Sequence, residues 1–131
     1  MMDQIKVLCI ADYYLPGYLG GGPITTLANI RKILNGKVKF SIFTRDRDLG
    51  ADSPYACLYQ DQWLETLDGP IYYASPKNFS SRIILKVLSE YNFDIIYFNS
   101  FFSLRATIFP YFCMHKIKRR PLVILAPRGE F

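Results

Sequence analysis

The chain is poor in the residues that build metal centres and nucleophilic triads. It has one histidine, His115, and three widely spaced cysteines, Cys9, Cys57 and Cys113. An odd number of isolated cysteines fits reduced thiols better than a disulfide framework or a zinc site. Any triad or metal site would have to use the single histidine. We therefore expect no bound metal and no cofactor.

Long apolar segments are also missing. No stretch approaches the roughly 18 consecutive apolar residues that cross a bilayer. The apolar run at 5–11 is not followed by an obvious cleavage site, which argues against a secretory signal. With 50% hydrophobic residues, the chain can bury enough surface to fold. Its 131 residues suit one domain. We therefore expect a single cytoplasmic domain over 1–131.

The chain has a basic excess, with 16 Lys and Arg against 11 Asp and Glu. Four of the basic residues cluster before Pro121: Lys116, Lys118, Arg119 and Arg120. The simpler interpretation is a solvated helix C-terminus whose cations complement the helix dipole. The alternative is contact with anionic lipid at the inner face of the cytoplasmic membrane, or with a phosphorylated substrate. No recognition-helix motif accompanies the charge, so we expect no nucleic-acid partner.

Five short runs, rich in β-branched and aromatic residues, predict strands at 5–11, 38–43, 70–74, 94–98 and 122–126. The last run is almost continuously apolar, which predicts a central strand covered on both faces. Residues 44–69 break every periodicity. They predict a surface excursion with a short helix near 61–67.

Helical spacing separates most of these strands. One helix is predicted to begin at Pro23 and to stop at Asn35-Gly36, and a second to begin after Ser80 or Ser81. A third is predicted over 104–116, with Ser103 as cap and a kink at Pro110. Alternating strands and helices predict an α/β fold with an open, Rossmann-like, doubly wound parallel sheet.

Ligands of such sheets bind beyond the carboxyl ends of the strands, near the point where the strand order reverses. The loop after the first strand contains Gly20, Gly21 and Gly22 and runs directly into a helix. Glycines let the backbone approach a ligand, and the first N–H groups of a helix favour an anion such as diphosphate. The alternative is a loop with unusual backbone angles and no ligand. Neither a Walker A loop nor a G-x-G-x-x-G dinucleotide fingerprint is present.

Two further strand ends carry candidate ligand groups. Asn99 and Ser100 follow the fourth predicted strand and either bind sugar hydroxyls or cap a helix. Arg128 and Gly129 follow the fifth strand, where a planar donor array beside a flexible backbone suits a phosphate or carboxylate. An ordinary surface arginine in a turn is the alternative.

The same edge offers aromatic and acidic side chains. Tyr13, Tyr14 and Tyr18 are candidates to stack on a sugar ring, although an aromatic-rich chain places tyrosines at many rims. Asp12 and Glu130 are general-base candidates by position only. No catalytic residue is therefore assigned.

Residues 10–17, followed by Gly-Gly-Gly-Pro-Ile at 20–24 and an amphipathic helix, resemble the opening of glycosyltransferases with the two-domain GT-B fold, family 4 type. The run at 44–50, Trp63 and residues 126–131 resemble bacterial members that build capsule or O-antigen polysaccharide. The similarity spans essentially the whole chain.

The resemblance implies transfer of a sugar from a nucleotide-sugar donor to a glycan or lipid-linked acceptor, without a required metal. It also implies that this domain mainly holds the acceptor, while its glycine loop reaches the donor diphosphate. Arg128-Gly129 stands where many members have His-Gly, and Asn99-Ser100 stands where another histidine is common. Histidine side-chain roles therefore do not transfer to this chain.

The resemblance further implies a C-terminal Rossmann domain, which supplies an Arg, a Lys and paired Glu residues to the donor. That half is absent from these 131 residues. We therefore expect a truncated acceptor-side N-terminal domain, inactive in transfer on its own. The competing interpretation is a non-catalytic nucleotide- or anion-binding Rossmann module, or a flavodoxin-like regulatory domain.

Overall fold

The computed structural model describes residues 4–56, 58–99, 104–114 and 121–126. Its strands are β1 (Ile5–Ile10), β2 (Val38–Arg45), β3 (Trp63–Leu64), β4 (Ile71–Ala74), β5 (Ile95–Phe98) and β6 (Leu122–Leu125). Its helices are α1 (Gly22–Leu34), α2 (Ser81–Glu90) and α3 (Phe109–Cys113), the last preceded by a π-helical turn (Leu104–Ile108).

The strands form one sheet in the order β3-β4-β2-β1-β5-β6. Neighbouring strands are parallel except for β3 and β4, which are antiparallel. The chain starts in the middle of the sheet, adds β2 and β4 on one side and then adds β5 and β6 on the other. The fold is therefore α/β with a mostly parallel sheet, compatible with a Rossmann-like fold, and the predicted strand and helix alternation is confirmed.

Two apolar cores lie on opposite faces of the sheet. Val7 and Cys9 of β1 point toward the core that contains Leu27 of α1. Leu8 and Ile10 point toward the core that contains residues of α2 and of the segment 104–114. Because side chains alternate along a strand, burial on both faces requires an unbroken apolar run. This explains why β1 shows no polar alternation after Lys6.

The prediction that the last strand is central is wrong. Within the described residues, β6 pairs only with β5 and is the last strand of the sheet on that side. Leu122 is 66% exposed and Ile124 41% exposed among the described residues. An apolar run specifies that a strand can be buried. Its place in the sheet is decided by which neighbours the chain supplies.

The short helix predicted near 61–67 is also wrong, because this segment forms β3. Asp61 has a positive φ of 60°, a conformation that Asp tolerates better than most residues. Its Oδ1 accepts a hydrogen bond from the Ser75 N–H at 2.9 Å, which holds the turn at the end of β4. Trp63 then lies opposite Tyr72, with ring centroids 5.5 Å apart. Cross-strand contacts with β4 thus decide the structure of this segment.

The third predicted helix is present but irregular. Residues 104–108 form a π-helical turn, and α3 continues from Phe109 to Cys113. Pro110 has no N–H to donate to the preceding turn, which disturbs the regular hydrogen-bond ladder at this point. The change from π-helix to α-helix falls next to Pro110, and the kink predicted there stays a prediction; the Ser103 cap lies outside the described residues.

Two serines, Ser80 and Ser89, provide a matched pair of variants that tests the N-cap of α2. Ser80 Oγ accepts a hydrogen bond from the Ile83 N–H at 3.4 Å, whereas the exposed Ser89 donates to the Leu85 carbonyl inside the helix. We expect Ser80→Ala to lower the free energy of unfolding by about 0.5–1 kcal/mol, because an N-cap is lost. Ser89→Ala should leave it unchanged or slightly higher, because Ala is the better helix former. Urea denaturation measures both, and equal effects would contradict the cap.

Candidate functional site

The reversal of strand order occurs between β1 and β5. The chain leaves β1 toward β2 on one side and later leaves β5 toward β6 on the other. Parallel α/β sheets form ligand crevices at the carboxyl ends of the strands where this reversal occurs. The loop after β1 and Asn99 after β5 lie at this point. Asn99 is buried, and its N–H donates to the Ile10 carbonyl at 3.1 Å.

The three consecutive glycines have different structural roles. A side chain at Gly20 would press against Tyr13 and Ile24, so Gly20 permits close packing. Gly21 precedes α1 with φ 81°, a conformation that L side chains rarely adopt. Gly22 begins α1, faces open space at its Cβ position, and has no side-chain cap before it. The entry to α1 is therefore an open helix N-terminus.

Four N–H groups in the second half of the loop have acceptors. Gly17 N–H donates to the Tyr14 carbonyl at 3.0 Å, and Gly21 N–H donates to the Tyr18 carbonyl at 3.1 Å. Tyr18 and Leu19 donate to the Asp48 carboxylate. Within the described part of the chain, the N–H groups of Gly20 and Gly22 have no acceptor. These two amides are the unpaired donors next to the start of α1, and within the described residues the N–H groups of 12–15, earlier in the loop, also have no acceptor.

The Asp48 carboxylate organises the loop from outside it. It accepts from the N–H groups of Tyr18 at 3.1 Å, Leu19 at 3.2 Å and Leu49 at 2.8 Å. Desolvation raises the pKa of Asp48, but the three backbone donors outweigh it and hold that pKa below its ordinary value. The carboxylate therefore stays charged and fixes the loop after β1 to the chain that follows β2.

Two tyrosine hydroxyls hold the loop by hydrogen bonds to its carbonyl groups. The Tyr73 hydroxyl donates to the Leu15 carbonyl, and the Tyr55 hydroxyl donates to the Tyr14 carbonyl at 3.3 Å. Desolvation, mainly, raises the pKa of each tyrosine to about 12, so both remain protonated donors near neutral pH. A Cβ at Gly17 would collide with the Tyr55 hydroxyl and the Asp48 carboxylate. The loop is therefore positioned before any ligand arrives.

A partly exposed ion pair lies beside the loop. The guanidinium of Arg45, at the end of β2, donates to Asp12 Oδ1 at 3.0 Å. It also lies over the Phe79 ring, 4.3 Å from its centroid, and 5.7 Å from that of Tyr13. Arg45 is not among the site residues predicted from the sequence. Its position at the carboxyl end of a strand was the available signal.

The structure brings together only part of the predicted site. Asp12, Tyr13 and Asn99 lie at the same carboxyl edge as the glycines. The remaining predicted positions lie outside the described residues, and these are Ser100, Lys116, Lys118, Arg119, Arg120, Arg128, Gly129 and Glu130.

One of the candidate stacking tyrosines does not line the edge. Tyr14 is 2% exposed and belongs to the core beneath α1. Its hydroxyl accepts a hydrogen bond from Nη1 of the buried Arg31 at 3.2 Å. The expectation that Tyr14 stacks on a sugar is therefore wrong. Tyr13 is half-buried and Tyr18 exposed, so both remain at the surface.

Comparison with known proteins returns no match to a family, to a curated protein or to a solved structure. No helix in the described ranges is both long and apolar enough to span a membrane. In those same ranges, no three His, Cys, Asp or Glu side chains group in a way that would hold a metal ion. The function of the candidate site is therefore inferred from its geometry and its sequence.

The glycines provide a matched pair of variants. We expect Gly21→Ala to lower the free energy of unfolding by about 1–2 kcal/mol, because its φ of 81° disfavours a Cβ. Gly22→Ala should be neutral or stabilising by about 0.5 kcal/mol, because the site is open and helical. Chemical denaturation measures both. Equal losses in the two variants would refute the separate roles assigned to these glycines.

The Asp48 clamp predicts a pH dependence. Because its folded-state pKa lies below the ordinary value of 3.8, its stabilising effect is present above that value and is lost as the pH falls through the lower folded pKa. Asp48→Asn should remove this acid-dependent component and speed hydrogen exchange at the amides of Tyr18 and Leu19. Exchange measured by NMR at neutral pH tests this, with Asp68→Asn as control. Unchanged protection at both amides would contradict the clamp.

Proposed function

We propose that this chain is the acceptor-side N-terminal domain of a GT-B glycosyltransferase, with a doubly wound sheet, acting in cell-surface polysaccharide synthesis. The observation that carries the proposal is the pair of unpaired amides, Gly20 and Gly22, at the uncapped start of α1. They lie where the strand order reverses, which is where α/β sheets bind nucleotide ligands.

A diphosphate group suits this place chemically. Helix N-termini attract anions because their free N–H groups and the helix dipole both favour negative charge. The first turn of α1 contains no acidic residue that would compete. Asp48, Tyr55 and Tyr73 hold the loop in place, so little ordering entropy is lost on binding. In this proposal Gly20, Gly21 and Gly22 contact the donor diphosphate.

The acceptor would lie on the remaining part of the edge. Asp12 and Asn99 offer polar groups for sugar hydroxyls, and Tyr13 offers a ring for the apolar face of a sugar. Arg45 orients Asp12 through their ion pair. Four further residues are assigned to the proposed cleft from the sequence alone: Ser100, Arg128, Gly129 and Glu130.

The transfer reaction requires a second domain in this proposal. Stabilising the charge on the leaving nucleotide is usually a major part of such catalysis, and the resemblance assigns it to a C-terminal Rossmann domain. The sugar acceptor would be a glycan or a lipid-linked glycan. Lys116, Lys118, Arg119 and Arg120 would hold the enzyme at the inner face of the cytoplasmic membrane.

Gly22→Asp tests the diphosphate site. A carboxylate in the first turn of α1 complements the helix dipole and meets open space, so the fold should be retained. The same carboxylate repels a diphosphate, and we expect affinity for UDP and GDP to fall at least tenfold. Gly22→Ala is the matched control and should bind like the parent chain. NMR titration of the 15N-labelled 131-residue chain measures binding and identifies the amides that shift.

Three outcomes separate the hypotheses. Full affinity in Gly22→Asp would remove the glycine loop from the site. Shifts confined to residues far from Gly20 and Gly22 would do the same. Diphosphate binding at the loop, together with a natural reading frame that lacks a second Rossmann domain, would favour the non-catalytic nucleotide-binding module.

A further inference from the structure

Two cavities lie at the amino ends of the parallel strands, at the end of the sheet opposite the glycine loop. Two adjoining cavities, of about 370 Å³ and 420 Å³, share Trp63, Glu90 and Tyr91. We call the two cavities together the Trp63 groove. It is lined by Lys6 and Lys39, which stand near the amino ends of β1 and β2. The six residues of β1 span about 20 Å, so the groove and the glycine loop are separated by roughly the length of the sheet.

Aromatic rings form a corner in this groove. The rings of Trp63 and Tyr91 lie 6.1 Å apart at 77°, and Tyr91 is 47% exposed. Trp63 also packs edge-on against Tyr72, which fixes the indole from the sheet side. Within the described residues the indole N–H of Trp63 has no acceptor. The corner therefore offers apolar ring surface together with a hydrogen-bond donor.

The charged groups of the groove are balanced. Three are cationic and three are anionic, and they are Lys6, Lys39, Lys86, Asp61, Glu65 and Glu90. None of the six forms an ion pair within the described residues. A balanced set of this kind favours neither an anion nor a cation. It suits a neutral ligand whose groups both donate and accept hydrogen bonds, as hydroxyl groups do.

The floor of the groove adds a buried polar side chain. Ser41 of β2 is only 3% exposed, yet it lines the cavity. It points to the same face as Lys39, because residues two apart on a strand share a face. Each cavity falls within the size range of small-molecule sites.

We propose that the Trp63 groove binds a neutral carbohydrate, with sugar C–H faces against Trp63 and Tyr91 and hydroxyls on Glu90, the lysines and Ser41. A pyranose ring combines an apolar face with hydroxyls that donate and accept, which is the pattern of this lining. The binding claim stands independently of the glycine loop. Its biological use, holding a glycan away from the transfer cleft, rests on the proposed function.

The single tryptophan makes the test direct. Trp63 is the only tryptophan of the chain, so emission excited selectively in tryptophan, and not in the ten tyrosines, reports on this groove. The labelled 131-residue chain is first applied to an array of neutral and acidic oligosaccharides. The neutral oligosaccharide that retains it best is then titrated against the unlabelled chain, with tryptophan emission as readout. We expect retention on neutral glycans and a saturable change in emission.

Variants locate the binding. Tyr91→Ala removes one wall, and Glu90→Ala removes an exposed hydrogen-bonding group. Each should weaken affinity about five- to tenfold, as loss of one ring contact or one charged hydrogen bond does. Tyr59→Ala, at an exposed tyrosine outside the groove, is the control and should bind normally. Circular dichroism and urea denaturation confirm that each variant is folded.

The outcomes are decisive in each direction. Absence of binding to every neutral glycan, or retention only on acidic glycans, would overturn the proposal. So would saturable fluorescence changes with inorganic phosphate, which would mark an anion site at Lys6 and Lys39. Gly22→Asp should still bind the oligosaccharide. Loss of nucleotide binding with sugar binding intact would therefore separate failure of one site from failure of the other.

Discussion

The parallel pairing of β1 with both β2 and β5 is the constraint on which the rest of the molecule depends. A strand buried on both faces must be apolar throughout, and helices must cover it above and below. Because β1 is central, the chain adds β2 and β4 on one side of it and then returns to add β5 and β6 on the other side. Parallel α/β sheets form ligand crevices where such a reversal occurs, and the loop after β1 lies at that place.

That loop is stabilised by groups far from it in sequence. Asp48 follows β2, and Tyr55 and Tyr73 come later still, yet all three bond to backbone atoms between residues 14 and 19. Their hydrogen bonds hold the loop backbone in place, and the amides of Gly20 and Gly22 have no acceptor within the described residues. At the amino ends of the strands the lining is different, with aromatic rings and balanced charges around Trp63. One sheet thus presents two chemically distinct ends.

Predictions from the sequence succeeded where a local pattern is sufficient. The strand runs, the start of α1 near Pro23 and the Ser80 cap each follow from periodicity or capping chemistry, and each is confirmed. Predictions failed where distant contacts decide. The segment predicted to be a short helix near 61–67 forms β3 because β4 offers a partner strand, and Tyr14 lies in the core beneath α1, where it meets Arg31 of that helix. Arg45 was missed because only the fold shows that it meets Asp12.

The sequence by itself determined the α/β alternation and the glycine loop after the first strand, because periodicity and loop composition are properties of neighbouring residues. Only the tertiary structure decided the order of the strands, the edge position of β6 and the clamp from Asp48 to Tyr18 and Leu19. The same is true of the corner between Trp63 and Tyr91. The clamp and the corner join residues 28 to 30 positions apart, and no periodicity encodes which distant partner will fill a given face.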